Sequence, residues 1–187
     1  MELVDWDKRY REGFYNGATE AHSLLQRFWH TIPRGNVVDI AIGNGRNAVF
    51  LAAKGYAVSG LDTSSEALKI AREAMAEKGQ NVSLILGDAG GLPFKAGSFS
   101  GVIVFYFLLR NILEEIAGLL QSGGVLVYET FLKRQNEVDR RRNPDFLLED
   151  GELFSYFKKF EILFYEETIL DVEGKKRAIV KFVGRKT

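Results

Sequence analysis

The sequence predicts an α/β protein built on a doubly wound, mostly parallel sheet with an antiparallel hairpin at its C-terminal end. Short β-branched apolar runs recur between Val37 and Phe131 and alternate with segments of helical period. The first run opens directly into Gly43-Asn44-Gly45, a strand-to-helix turn of Rossmann-like character. The last two strand-like runs are joined by a polar link too short to hold a crossover helix, so they must pair antiparallel.

Asp5 to Tyr15 and Ala18 to Thr31 read as helices. In the second, Ala21, Leu24, Leu25, Phe28 and Ile32 form an apolar stripe at three- and four-residue steps. Pro33, Gly35 and Asn36 break the chain before the first strand. Val37 to Ile42 is an apolar run with one acid inside, as expected of a strand buried on both faces. Asn47 to Lys54 reads as a helix stopped by Gly55. Tyr56 to Leu61 is the second strand, ending at Asp62. Thr63 or Ser64 caps the next helix, which runs to about Lys78 and stops at Gly79. Val82 to Leu86 is the third strand, closed by Gly87 and Asp88, and Gly90, Gly91 and Pro93 mark a loop. Ser100 to Phe107 is a fourth, very apolar strand. Ile112 to Leu120 is helical, Ser122-Gly123-Gly124 ends it, and Val125 to Phe131 is the fifth strand. Phe160 to Thr168 and Arg177 to Gly184 form the hairpin, with Glu173-Gly174 at the centre of its link.

A length of 187 residues suits one domain, with 1–34 as a helical extension or lid and 35–187 as the core. Lys plus Arg balances Asp plus Glu at 25 each, which argues against a nucleic-acid acceptor. The absence of cysteine removes disulfides, thiolate metal sites and a thiol nucleophile. His22 and His30 read as partly exposed helix residues, since two imidazoles alone make a poor metal site, and no metal is expected. The start has acids where a signal peptide needs bases, and no apolar run is long enough to span a bilayer. A cytoplasmic location is therefore expected.

Ligands of such sheets bind beyond the carboxyl ends of the strands. Here those ends carry Asp39, then Asp62, then Asp88. Asp62 lies about 20 residues past the glycine loop, where an acid accepts from ribose hydroxyls. The spacing Gly43, Gly45, Ala48 also fits the dinucleotide fingerprint. A pyrophosphate would be repelled by carboxylates around its cradle. S-adenosylmethionine, with a sulfonium, an ammonium and one carboxylate, is a net cation that suits them.

At these residues the chain resembles the class I S-adenosylmethionine-dependent methyltransferases, in their small bacterial TehB-like branch. DIAIGNGRNAVFLAAKGYAVSGLD resembles the branch's glycine motif, helix and second-strand acid. GDAGGLPF resembles its third-strand motif, LLQSGGVLVYETF its turn into strand five, and WDKRYREG its N-terminal signature. The resemblance implies a seven-stranded sheet and S-adenosylmethionine as cofactor, with S-adenosylhomocysteine as product. It implies Asp39, Gly43 and Gly45 around the methionine portion, Asp62 at the ribose, Asp88 and Ala89 at the adenine, and Phe105 facing the methionine end. Ala41, Asn47 and Thr63 complete the expected cofactor set. Ala41 stands where the usual acid-x-Gly-x-Gly pattern has a glycine, a departure that matters only if the position needs a positive φ.

Methyl transfer asks the protein to align an acceptor and exclude water, with a base as the acceptor requires. The candidate catalytic residues are Arg110, Tyr106 and Glu129, with Tyr128 and Phe131 also near the expected methyl position. Arg110 is the expected substrate contact, and Glu129 either acts on the acceptor or pairs with Arg110. The branch often has a histidine just before this arginine; here it is Leu109. Arg140, Arg141 and Arg142 read either as a solvated charge run or as a lid for an anionic acceptor. Trp6, Tyr10, Phe14 and Tyr15 either pack a helix on the core or close over the cofactor. The expected activity is methyl transfer to a small-molecule acceptor. The alternatives are an NAD(P)-dependent oxidoreductase, or a non-catalytic domain that binds S-adenosylmethionine.

Overall fold

The computed structural model describes residues 4–15, 17, 19–139, 142–172 and 174–187. Seven strands form one sheet in the order β3-β2-β1-β4-β5-β7-β6. They are β1 (Asn36–Ile40), β2 (Ala57–Asp62), β3 (Val82–Leu86), β4 (Phe99–Phe105), β5 (Leu120–Phe131), β6 (Glu161–Val172) and β7 (Lys175–Arg185). β1 pairs parallel with β2 and β4, β2 with β3, and β4 with β5. β7 runs antiparallel to both β5 and β6. The expected parallel sheet with a terminal hairpin is what the chain forms. The strand order reverses between β1 and β4, so the crevice where such sheets take ligands opens at their carboxyl ends.

The helices are α1 (Trp6–Arg11), α2 (Ser23–Phe28), α3 (Arg46–Ala53), α4 (Ser65–Glu77), α5 (Leu113–Leu119), α6 (Gln135–Val138) and α7 (Glu152–Phe157). Strand periodicity sorts the core onto the two faces of the sheet. Val38, Ile40, Val102, Val104, Leu126 and Tyr128 pack with Ile112, Ile116, Leu153 and Phe157 on one side. Val37, Ile103, Phe105, Val125 and Val127 pack with Leu24, Leu25, Leu51 and Leu68 on the other.

Several boundaries differ from the sequence expectation: the first helix ends at Arg11, and Ser122-Gly123-Gly124 lies inside β5 instead of ending the helix before it. Three others have a clear local reason. β1 stops at Ile40 because Ala41 turns into the left-handed region at φ 59°, and β4 stops at Phe105 because Tyr106 does so at φ 54°. These are the two non-glycine residues with positive φ among the described residues, and they end the two strands that flank the switch point. Each costs roughly 1–2 kcal/mol of backbone strain, held in place by surrounding packing. The second N-terminal helix starts at Ser23, because the His22 backbone is extended and its N–H donates to Asn47 Oδ1 at 3.0 Å. A 3-10 turn, Trp29–Thr31, continues it. The expected start at Ala18, like Arg140, Arg141 and Glu173, lies outside the described residues.

Candidate active site

Gly43 and Gly45 turn the chain from β1 into α3 with φ of 58° and 79°. Gly45 also needs its missing side chain, since a Cβ there would stand 2.9 Å from Ala71 Cβ on α4. Asp62 at the end of β2 organises this turn. Its Oδ2 accepts from the Gly43 N–H at 2.8 Å and its Oδ1 from the Ser64 N–H at 2.9 Å. Ser64, not the exposed Thr63, caps α4, accepting from the Ala67 N–H.

Asp39, near the end of β1, is 1% exposed, and its Oδ2 has no hydrogen-bond partner. Burial and the neighbouring Asp62 charge push its carboxyl well above the ordinary range, with Arg46 pulling the other way. Asp62 is itself raised by burial, against hydrogen bonds from Ser64, Gly43 and Thr63 that lower it. Native structures rarely leave a buried carboxylate oxygen unsatisfied. A cationic ligand in this cradle would satisfy it.

The N-terminal segment covers the cradle. Asp7 on α1 accepts from Ser64 Oγ at 2.6 Å and from Ser65 Oγ and the Glu66 N–H at 3.2 Å. A Cβ on Gly43 would lie 2.8 Å from the Tyr10 hydroxyl. Burial first, then the Asp62 charge, raises the Tyr10 phenol far above its ordinary value.

A second group of side chains stands on the same sheet face, toward β5 and β7. His22 stacks flat on Phe105, with ring centroids 4.5 Å apart and planes 3° from parallel. Its Nε2 lies 2.5 Å from Arg46 Nη2. Burial, then the charges of Arg46 and Arg177, hold its pKa down at about 3, so the ring is neutral. The Tyr106 hydroxyl donates to Glu129 Oε1 at 2.6 Å. Glu129 is 4% exposed, and its Oε2 has no hydrogen-bond partner. Burial raises its carboxyl, opposed by Tyr106, Lys181, Arg177 and Arg46.

The remaining expected residues fall in different surroundings. Ala41 does adopt the positive φ that the glycine of the usual pattern would allow freely. Asn47 is buried beneath the loop, with its Oδ1 committed to the His22 backbone. Asp88 is exposed and accepts from the Gly90 N–H at 2.8 Å, while Ala89 is buried beside it.

Two expectations are corrected. Arg110 pairs with Glu152 and not with Glu129. Its Nε and Nη2 donate to Glu152 at 2.6 and 3.0 Å, and its nitrogens also reach the carbonyls of Asp145 and Leu147 at 2.9 and 2.7 Å. It ties the segment after β5 onto the α5 side of the sheet. Arg110→Ala is therefore expected to lower stability by roughly 1.5–3 kcal/mol while leaving cofactor affinity unchanged. Thermal melts beside calorimetric titration check this; unchanged stability would overturn the structural role. Tyr128 points away from Glu129, as adjacent strand residues must, and its hydroxyl donates to the Phe107 carbonyl among the α5 and α7 side chains.

His22, Arg46, Arg177 and the Asp7 contacts to α4 are absent from the expected site residues, whereas Tyr10 over the glycine turn fits the expectation that the N-terminal aromatics close over the cofactor. Arg46 stands next to Gly45 and was within reach of a motif reading. His22 meets Glu129 across more than a hundred residues, and no local signal announces that. Among the described residues no three His, Asp or Glu side chains gather to hold a metal, and no helix is long and apolar enough to cross a membrane.

The strand order, the glycine turn and the acids at the ends of β1 and β2 define a Rossmann-like α/β fold with a carboxylate-lined cradle at its switch point. Residues 37–124 match the family described as a methyltransferase domain. The chain is 25% identical over 155 residues to the probable S-adenosyl-L-methionine-dependent methyltransferase TehB of Haemophilus influenzae, covering 78% of this chain and 54% of that protein. It is 33% identical over 106 residues to the demethylmenaquinone methyltransferase of Renibacterium salmoninarum, covering 54% of this chain and 43% of that one. The crystal structure of TehB from Haemophilus influenzae superposes with a TM-score of 0.77 at 20% identity, over 97% of this chain and 67% of that one. The chain spans about half the length of the curated relatives it matches. The chain is thus similar over its core to a methyltransferase domain, and in sequence and fold to TehB.

Proposed function

We propose that the protein is an enzyme that transfers the methyl group of S-adenosylmethionine to a small-molecule acceptor. The unsatisfied Oδ2 of buried Asp39, beside Asp62, is the observation that carries this reading. Two carboxylates around a glycine turn suit a sulfonium nucleoside and oppose a pyrophosphate.

When bound, S-adenosylmethionine supplies an electrophilic methyl group on a positively charged sulfur. Asp39 and Asp62 would hold the cofactor from the strand ends, with the Gly43–Gly45 backbone giving close approach. Tyr10 and α1 keep water from the cradle. Phe105, Tyr106 and Glu129 line the side where an acceptor is aligned.

Calorimetric titration with S-adenosylmethionine and with NAD is the test. Binding of the first without the second is expected. A stronger response to NAD reverses the reading. The balanced overall charge supports a small molecule over a nucleic acid as acceptor.

A further inference from the structure

Glu129 is buried and only half satisfied. Its register places it on the same sheet face as Asp39: Asp39 aligns with Ile103, Ile103 with Val127, and Glu129 is two residues further along β5. Oε1 is engaged by the Tyr106 hydroxyl, and Oε2 meets no donor. Every group that faces it is a donor or a cation. Tyr106 follows β4, Lys181 and Arg177 come from β7, Arg46 begins α3 and His22 precedes α2.

The His22 tautomer follows from its neighbour. Arg46 can only donate, so His22 Nε2 accepts and the ring proton sits on Nδ1. Nδ1 lies 4.0 Å from Glu129 Oε1. Thus Tyr106 and His22 both present hydrogens to the Oε1 side, while Oε2 stays buried without a donor. Two residues further along the same face of β5 the surroundings are apolar and aromatic: Phe131 packs with Leu147 and Ile179, and its ring centroid is 4.8 Å from that of Tyr106. The Arg142 guanidinium lies 3.9 Å over the Phe131 ring.

We propose that Glu129 receives the acceptor's proton, with His22 as its positioning residue, and that the acceptor is an aromatic hydroxyl compound. The proposal rests on the methyl-transfer reading above. A buried carboxylate oxygen with no donor is completed by an O–H or N–H. The aromatic wall suits a flat apolar body. A phenol, with a pKa of about 10, lies within reach of a carboxylate, whereas an alkyl alcohol is far too weak an acid. A neutral amine needs no proton removed before it attacks. In the transfer, the acceptor oxygen bonds to the methyl carbon as its proton passes to Glu129 Oε2. The carbon–sulfur bond breaks with its electron pair left on sulfur, so the sulfonium becomes a neutral thioether and the carboxylate a carboxylic acid. The raised Glu129 carboxyl brings its basicity closer to that of the phenol.

The test uses 4-nitrophenol and its methyl ether, 4-nitroanisole, as probes on the protein loaded with S-adenosylhomocysteine. Equilibrium dialysis measures both, and the colour of the phenolate reports where the proton goes. The phenol is expected to bind about tenfold more tightly than the ether. Glu129→Gln should abolish that preference while S-adenosylhomocysteine affinity stays within about threefold. His22→Phe keeps the stack on Phe105 but loses both nitrogens, and should cut the preference by about threefold or more. His22→Asn returns an N–H near the place of Nδ1 and should recover most of it, a rescue that a purely structural role would not show. Equal binding of phenol and ether, or a preference that survives Glu129→Gln, overturns the proposal. Failure of S-adenosylhomocysteine itself to bind would instead remove the cofactor reading, and this proposal with it.

Discussion

Asp62→Ala lowers S-adenosylhomocysteine affinity by roughly 1.5–3 kcal/mol, about 10- to 150-fold. The expectation is larger than a ribose contact alone would give. Asp62 also holds the Gly43 N–H at 2.8 Å and the Ser64 N–H at 2.9 Å, and so joins the glycine turn of β1 to the start of α4. Without the carboxylate, the buried Ser64 N–H and the half-buried Gly43 N–H lose their acceptor and the turn loses its shape before any ligand arrives. Asp62→Asn keeps one oxygen acceptor and should fall between wild type and alanine. Calorimetry on the three proteins gives the order directly. An alanine variant that binds like wild type would detach Asp62 from the cofactor site altogether.

Much of this site was legible because parallel strands place their ends in one row. Once the alternation of strands and helices was read, Asp39 and Asp62 had to meet at the β1–β2 edge, and the short link at Glu173-Gly174 required an antiparallel pair. Residue parity along β5 was available too: Tyr128 and Glu129 cannot share a face, so only one could look toward the cofactor. What the sequence withheld were contacts of long separation and backbone angles. Arg110 finds Glu152 after 42 residues, and nothing local distinguishes that engagement from a substrate contact. His22 reaches Phe105 and Arg46 only because an extended residue, tied to Asn47, precedes α2. The left-handed turns at Ala41 and Tyr106 have no signature in residue type, since both side chains usually avoid that region.

Asp39→Asn should move stability and binding in opposite directions. Burial, then the Asp62 charge, raises the Asp39 carboxyl in the fold, so the native state holds its proton more tightly than the unfolded chain. For a raised carboxyl, its favourable contribution is complete below the ordinary aspartate value and declines as pH rises from there to the folded pKa. At neutral pH the ionised group is therefore a cost to the empty protein. Asparagine removes that charge, and thermal melts at neutral pH should show a gain of about 1–2 kcal/mol, shrinking as pH falls toward the ordinary aspartate range. The same change should weaken S-adenosylmethionine by about tenfold or more, and S-adenosylhomocysteine less, because the latter lacks the sulfonium charge. In wild type, affinity for the sulfonium should grow with pH across the window in which the empty fold loses stability. A buried carboxyl with an unpartnered oxygen is completed by a cationic ligand, a need that a group serving only the fold would not have. If Asp39→Asn lowers the melting temperature, or binds the sulfonium and the thioether with the wild-type ratio, Asp39 is a structural acid and the charge-based choice of cofactor loses its main support.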